Sequence, residues 1–152
     1  MLNVGIVGLG TIGKVVTKAL DDGMNGLQLN GIASGRREKA EAFLATLNTP
    51  IEIMSIEEVA ESCEIVVDCA PKVVFAEIAN ATISRGKILV TVSGAGILAN
   101  PDIEKQAAKK KARVILATGA LLGLDAVRAA AEGTINSVKM VTRKPPNALQ
   151  GA

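Results

Sequence analysis

Short solid apolar runs alternate along this chain with stretches in which apolar side chains recur every three or four positions. Leu2–Val7 is the first run, of the kind buried on both faces of a parallel sheet. Behind it Ile12, Val15, Val16, Ala19 and Leu20 form the stripe of a helix lying on a sheet, ended by Asp21-Asp22-Gly23. Leu27–Ala33 predicts the second strand, and Ala40, Phe43, Leu44 and Leu47 predict a helix that stops before Pro50. Ile51–Met54 predicts a short strand. Ser55-Ile56-Glu57-Glu58 then reads as a capping box opening a helix that ends near Ser62. Glu64–Ala70 predicts a buried strand running into Pro71, Val73–Arg85 a helix closed by Gly86, and Ile88–Val92 another strand. Asn100-Pro101-Asp102 opens a helix whose negative pole carries Lys109-Lys110-Lys111. With Val114–Ala117 as a sixth strand, the order predicts an α/β, doubly wound parallel sheet.

The last part changes character. Ala126–Glu132 predicts a helix closed by Gly133, after which Ser137-Val138-Lys139-Met140 alternates polar and apolar. That period belongs to a half-exposed strand, the start of a second sheet over Ile135–Thr142, whose partner strand lies elsewhere.

Candidate chemistry begins where the first strand meets its helix, at Gly8-x-Gly10-x-x-Gly13. The first glycine permits a tight turn, the second a close approach of backbone to a pyrophosphate, and the third close packing of helix and strand. Amides at the helix start lack intrahelical partners, so Gly8, Gly10, Thr11, Ile12 and Gly13 outline an anion site. About twenty residues on, Ser34-Gly35-Arg36-Arg37 ends the second strand. An NAD site places a carboxylate there for the ribose 2′-OH, whereas Ser34, Arg36 and Arg37 suit a 2′-phosphate, so NADP is favoured over NAD. The alternative is that both arginines are solvated residues opening the next helix. Asp68 is either a functional carboxylate or a group bonding backbone in its turn. Ser93-Gly94-Ala95-Gly96 leaves room for a flat ring or a substrate, the alternative being an ordinary glycine-rich loop.

Composition narrows the choice. The 152 residues are 49% apolar and 21% charged, which fits one core of useful size. A net charge of +2, two Phe, no Tyr and no Trp argue against nucleic acid, having no stacking platform. No run reaches membrane-spanning length, and the N-terminus enters its strand at once, which predicts a cytoplasmic protein without a signal peptide. Cys63 and Cys69 lack metal spacing and read as free thiols; no metal site is expected. No histidine is present, which removes the commonest acid–base group near neutral pH.

On these residues the chain resembles the N-terminal part of the L-aspartate dehydrogenase family. The resemblance runs through Lys144 and rests on Gly8–Gly13, Ser93-Gly94-Ala95, Thr118-Gly119-Ala120 with Gly123-Leu124-Asp125, and Thr142-Arg143-Lys144. It implies a Rossmann-type domain over residues 1–123 and, over 124–152, a linking helix and first strand of a catalytic domain. It implies oxidation of L-aspartate to iminoaspartate with NAD or NADP, Ala120 beside the cofactor, Ala70, Pro71 and Ser93 bordering the nicotinamide ribose, and Gly94 among the cofactor-binding residues. It also implies a small amino-acid substrate and a homo-oligomer. The family's usual serine is Thr118 here and its second glycine is Leu122. Its catalytic histidine sits in a C-terminal domain, so no catalytic residue is assigned in this chain. Homoserine dehydrogenase, dihydrodipicolinate reductase and a non-catalytic dinucleotide-binding module are the alternatives.

Overall fold

The computed structural model describes residues 1–118, 123–141 and 143. Its sheet comprises β1 (Leu2–Val7), β2 (Leu27–Ala33), β3 (Ile65–Asp68), β4 (Ile88–Thr91) and β5 (Arg113–Leu116). All pairings are parallel, in the order β2-β1-β3-β4-β5. The chain leaves β1 toward β2 and then returns to build β3, β4 and β5 on the other side, so the strand order reverses beside β1. In open α/β sheets ligands bind at such a reversal, outside the carboxyl ends of the strands.

Side chains alternate across the strands and therefore fill two cores. On one face Val4, Ile6, Leu29 and Ile32 pack with Leu20 of α1 (Thr11–Asp21) and Ala40 of α2 (Arg37–Leu44). On the other, Val66 and Leu89 pack with Val59 of α3 (Ile56–Ser62), Ile78 of α4 (Phe75–Ser84) and Ile103 of α6 (Ile103–Lys110). A short helix, α5 (Gly94–Ala99), follows β4. The chain divides into two compact units, Met1–Ala117 and Thr118–Ala152; the second contains α7 (Leu124–Ala130). Among the described residues no helix is long and apolar enough to cross a membrane.

Several expected elements are altered. Ile51–Met54 is not a strand: only Ile53 bridges Ile32, with the Met54 amide donating to the Ile32 carbonyl at 2.8 Å. Pro50 supplies no donor before it, and the Ser55–Glu58 capping box turns the chain into α3 directly after it. The sheet thus has five strands, not six, among the described residues. The helix expected over Val73–Arg85 starts as a 3-10 turn, Lys72–Val74, behind Pro71, before α4 proper. Asn100 does not cap α6; its Nδ2 donates to the Gly96 carbonyl at 2.8 Å and closes α5 instead. The strand expected over Ile135–Thr142 is absent across Ile135–Val141, which are irregular and pair with no strand among the described residues. Alternation alone does not make a strand, because backbone groups need a ladder partner.

At the end of α1, Asp21 ties the chain to the segment after α2. Its carboxylate accepts from the Asn48 amide (2.9 and 3.1 Å), the Thr49 amide (2.9 Å) and Lys18 Nζ (3.2 Å). The Asn48 backbone bond above all holds its pKa at about 2, below the ordinary 3.8. Because the folded value is the lower one, the stabilisation is complete above the ordinary value and is lost as pH falls from about 4 toward 2. Asp21→Ala should therefore lower the urea midpoint most at pH 5 and above, with the gap to wild type closing by pH 2. A gap independent of pH would show that the charge of Asp21 is not what is lost.

Candidate functional site

β1 enters its turn at Gly8, whose amide donates to the Ala33 carbonyl at 2.8 Å and whose φ is +98°. A Cβ there would lie 2.7 Å from the backbone of Cys69 and Ala70, so β3's end and this turn touch through a glycine. Gly13 allows a second close approach: a Cβ on it would collide with the Gly8 carbonyl oxygen. Between them Gly10 is the residue before α1, with φ −79° and ψ −163°, and nothing lies within 4 Å of the position a Cβ would take. The first intrahelical bond runs from the Lys14 amide to the Gly10 carbonyl, leaving the Thr11, Ile12 and Gly13 amides without helical partners. No side chain caps the helix and no acid stands in its first turn. The result is a positive helix end beside open space, at the point where the strand order reverses, and it fits a diphosphate held by backbone.

The end of β2 adjoins this corner in the sheet. Ser34 Oγ accepts from the Arg36 amide at 3.4 Å, forming a small turn. Arg36 and Arg37 are both exposed. Arg37 Nε donates to Glu41 Oε1 at 2.9 Å along α2, whereas Arg36 makes no ion pair among the described residues. Of the two, Arg36 has the guanidinium left uncommitted among the described residues.

Across the reversal, β3 ends in Asp68 and leads through Cys69 and Ala70 to Pro71; β4 ends in Thr91 and leads to Ser93 and Gly94. Asp68 Oδ1 accepts from the Ala70 amide at 3.0 Å and Oδ2 from Thr91 Oγ1 at 2.6 Å. Of its two readings, the bonds to turn and neighbouring strand favour the structural one. The loop expected over Ser93–Gly96 is the start of α5, with Ser93 Oγ accepting from the Gly96 amide at 3.1 Å. The room at Gly96 is taken by the Phe75 ring, which a Cβ there would strike, so only Gly94 faces open space. Cys69 sits just after β3; burial, aided by the Asp68 charge, pushes its thiol up to about 11. Near neutral pH it is an uncharged small side chain and not a nucleophile.

Gly8, Gly10, Thr11, Ile12, Gly13, Ser34, Arg36, Ala70, Pro71, Ser93 and Gly94 all follow the carboxyl ends of β1, β2, β3 or β4, and Arg37 opens α2. Ala120, and with it Gly119, Leu122, Thr142 and Lys144, lies outside the described residues. Sequence reading missed Thr91. A polar residue ending an apolar strand, as Asp68 ends its own, was the available signal. A separate hollow of about 530 Å³, between Glu57, Asn80, Arg85, Gln106 and Lys109, shares no lining residue with the glycine corner.

Comparison with known proteins agrees with this geometry. The family model described as homoserine dehydrogenase, NAD binding domain, matches residues 8–117. L-aspartate dehydrogenase of Bradyrhizobium diazoefficiens is 46% identical over 151 residues, covering 99% of this chain and 54% of that protein. L-aspartate dehydrogenase 3 of Bordetella bronchiseptica is 38% identical over 152 residues, covering 99% and 56%. Among solved structures, biliverdin reductase from Synechocystis, in complex with biliverdin and NADP+, superposes with a TM-score of 0.69 at 19% identity, covering 86% of this chain and 43% of that one. At that identity the likeness shows the fold. The chain spans about half the length of the curated relatives it matches.

Proposed function

This chain belongs to the homoserine dehydrogenase NAD-binding-domain family, and from that premise we propose that it is the cofactor-holding part of an NAD(P)-dependent L-aspartate dehydrogenase. The observation that carries the cofactor reading is the uncapped start of α1, three bare amides beside the open position over Gly10. The substrate reading is supported by the 46% and 38% identity to L-aspartate dehydrogenases. When bound, the nicotinamide supplies the hydride acceptor, and L-aspartate becomes iminoaspartate, which water converts to oxaloacetate and ammonia. The chain's own residues bind and orient. Gly10–Gly13 hold the diphosphate, Ser34 and Arg36 with Arg37 take a 2′-phosphate, and Ala70, Pro71, Ser93 and Gly94 border the nicotinamide end. Residues 124–152 belong to a second unit that serves the substrate, and the assembly is a cytoplasmic homo-oligomer.

With no histidine among its 152 residues, the chain contains no imidazole for the proton transfer. Alone it should bind cofactor without turnover, and L-aspartate-dependent NADPH formation by this chain would contradict that division of labour. The family description also admits L-homoserine as substrate, which the same assay on the full-length enzyme separates from L-aspartate. For the cofactor, calorimetry should find NADPH bound more tightly than NADH. Arg36→Ala should weaken NADPH about tenfold to a hundredfold, the loss of a charge-assisted bond of about 1.5–3 kcal/mol, and leave NADH unchanged. Equal affinities that ignore the substitution would refute the phosphate role of Arg36.

A further inference from the structure

Resting on that reading, we propose that Asp68 and Thr91 are a buried positioning pair that holds the two loops bordering the nicotinamide end of the site. They are register partners on adjacent parallel strands, and both are buried, at 1% and 0% exposure. Neither side chain reaches the open corner, so neither touches cofactor. Their bonds lead instead to residues that border it. Thr91 Oγ1 donates to Asp68 Oδ2 at 2.6 Å and accepts from the Ser93 amide at 2.9 Å, while Asp68 Oδ1 accepts from the Ala70 amide at 3.0 Å. A carboxylate only accepts, so the single hydroxyl proton of Thr91 is committed to Asp68, and the oxygen's lone pairs are left facing the Ser93 amide. The direction of every bond from Ala70 to Ser93 is thereby fixed. Ser93 Oγ then receives the Gly96 amide, which extends the chain into α5.

A buried carboxylate between apolar strands is costly, and well-packed apolar residues often serve stability as well or better. What the pair adds is geometry: it clamps the backbone of β3's loop to that of β4's loop at Ala70 and Ser93, with no hydrogen bond to residues 8–13 or 34–37. Gly8 backs onto the Cys69–Ala70 backbone but keeps its own hydrogen bond to the Ala33 carbonyl, so the loss should be felt chiefly at the nicotinamide end of the dinucleotide.

Calorimetry with NADPH and with 2′-phospho-ADP-ribose, the same molecule without its nicotinamide, tests this on the 152-residue chain. Thr91→Val, which keeps the shape and removes the hydroxyl, should weaken NADPH about tenfold and leave the fragment's affinity within about twofold. Thr91→Ser should restore NADPH binding. Should Thr91→Val not fold, Asp68→Asn carries the same test: an amide has one acceptor oxygen where the carboxylate has two, so either the bond from Thr91 or that from Ala70 is lost, and the same selective loss is expected. Equal weakening of both ligands, no weakening of either, or no rescue by serine would overturn the pair's role while leaving the cofactor assignment in place. Failure of the wild-type chain to bind either ligand would overturn both.

Discussion

Gly13→Ala is expected to lower the melting temperature by roughly 6–12 °C, a cost of about 3 kcal/mol at the upper end of ordinary overpacking. A methyl group at Gly13 would run into the Gly8 carbonyl oxygen and would also lie 3.4 Å from Cys69 Cβ. Neither neighbour yields cheaply: Gly8 is pinned by the hydrogen bond its N–H donates to the Ala33 carbonyl and backs onto the Cys69–Ala70 backbone. The helix would have to lift off the sheet. Calorimetric melting of Gly13→Ala beside wild type checks this, and an unchanged melting point would mean that α1 does not sit so close to β1.

Gly10→Val should behave in the opposite way, folding normally and losing the dinucleotide. The backbone of Gly10 is extended, at φ −79° and ψ −163°, and nothing lies within 4 Å of the added Cβ, so stability should fall by no more than about 1 kcal/mol, the cost of valine at the residue before the helix. The new side chain fills the space where a diphosphate must approach the Thr11–Gly13 amides. Blocking two charge-assisted bonds of about 1.5–3 kcal/mol each should cut NADPH affinity by about a hundredfold or more. Unchanged affinity in a normally folded Gly10→Val chain would place the phosphates elsewhere. The two substitutions together separate the structural glycine from the ligand-facing one.

Much of this layout was legible in the residues because local and long-range signals agreed. β1 and β2 fall at Leu2–Val7 and Leu27–Ala33 as their unbroken apolar runs predict, and the Ser55–Glu58 capping box forms with both of its reciprocal bonds. The misreadings share a cause, namely a partner that sequence does not display. Ile51–Met54 has strand composition, yet Pro50 and Ser55 confine it to one bridging residue. Gly96 resembles a ligand-facing gap until Phe75 is seen against it. Asn100 has the chemistry of a cap but spends its amide on Gly96 behind it. Thr91 passed unnoticed because its role depends on Asp68, 23 positions away along the chain and adjacent only across the sheet.

Amide chemical-shift mapping of the wild-type chain during NADPH titration tests the central claim most directly. The Thr11, Ile12 and Gly13 amides should move furthest, at one saturating midpoint, with smaller shifts at Arg36, Ala70 and Ser93. Shifts confined to the hollow beside Asn80, Arg85 and Gln106, with residues 10–13 unmoved, would contradict it.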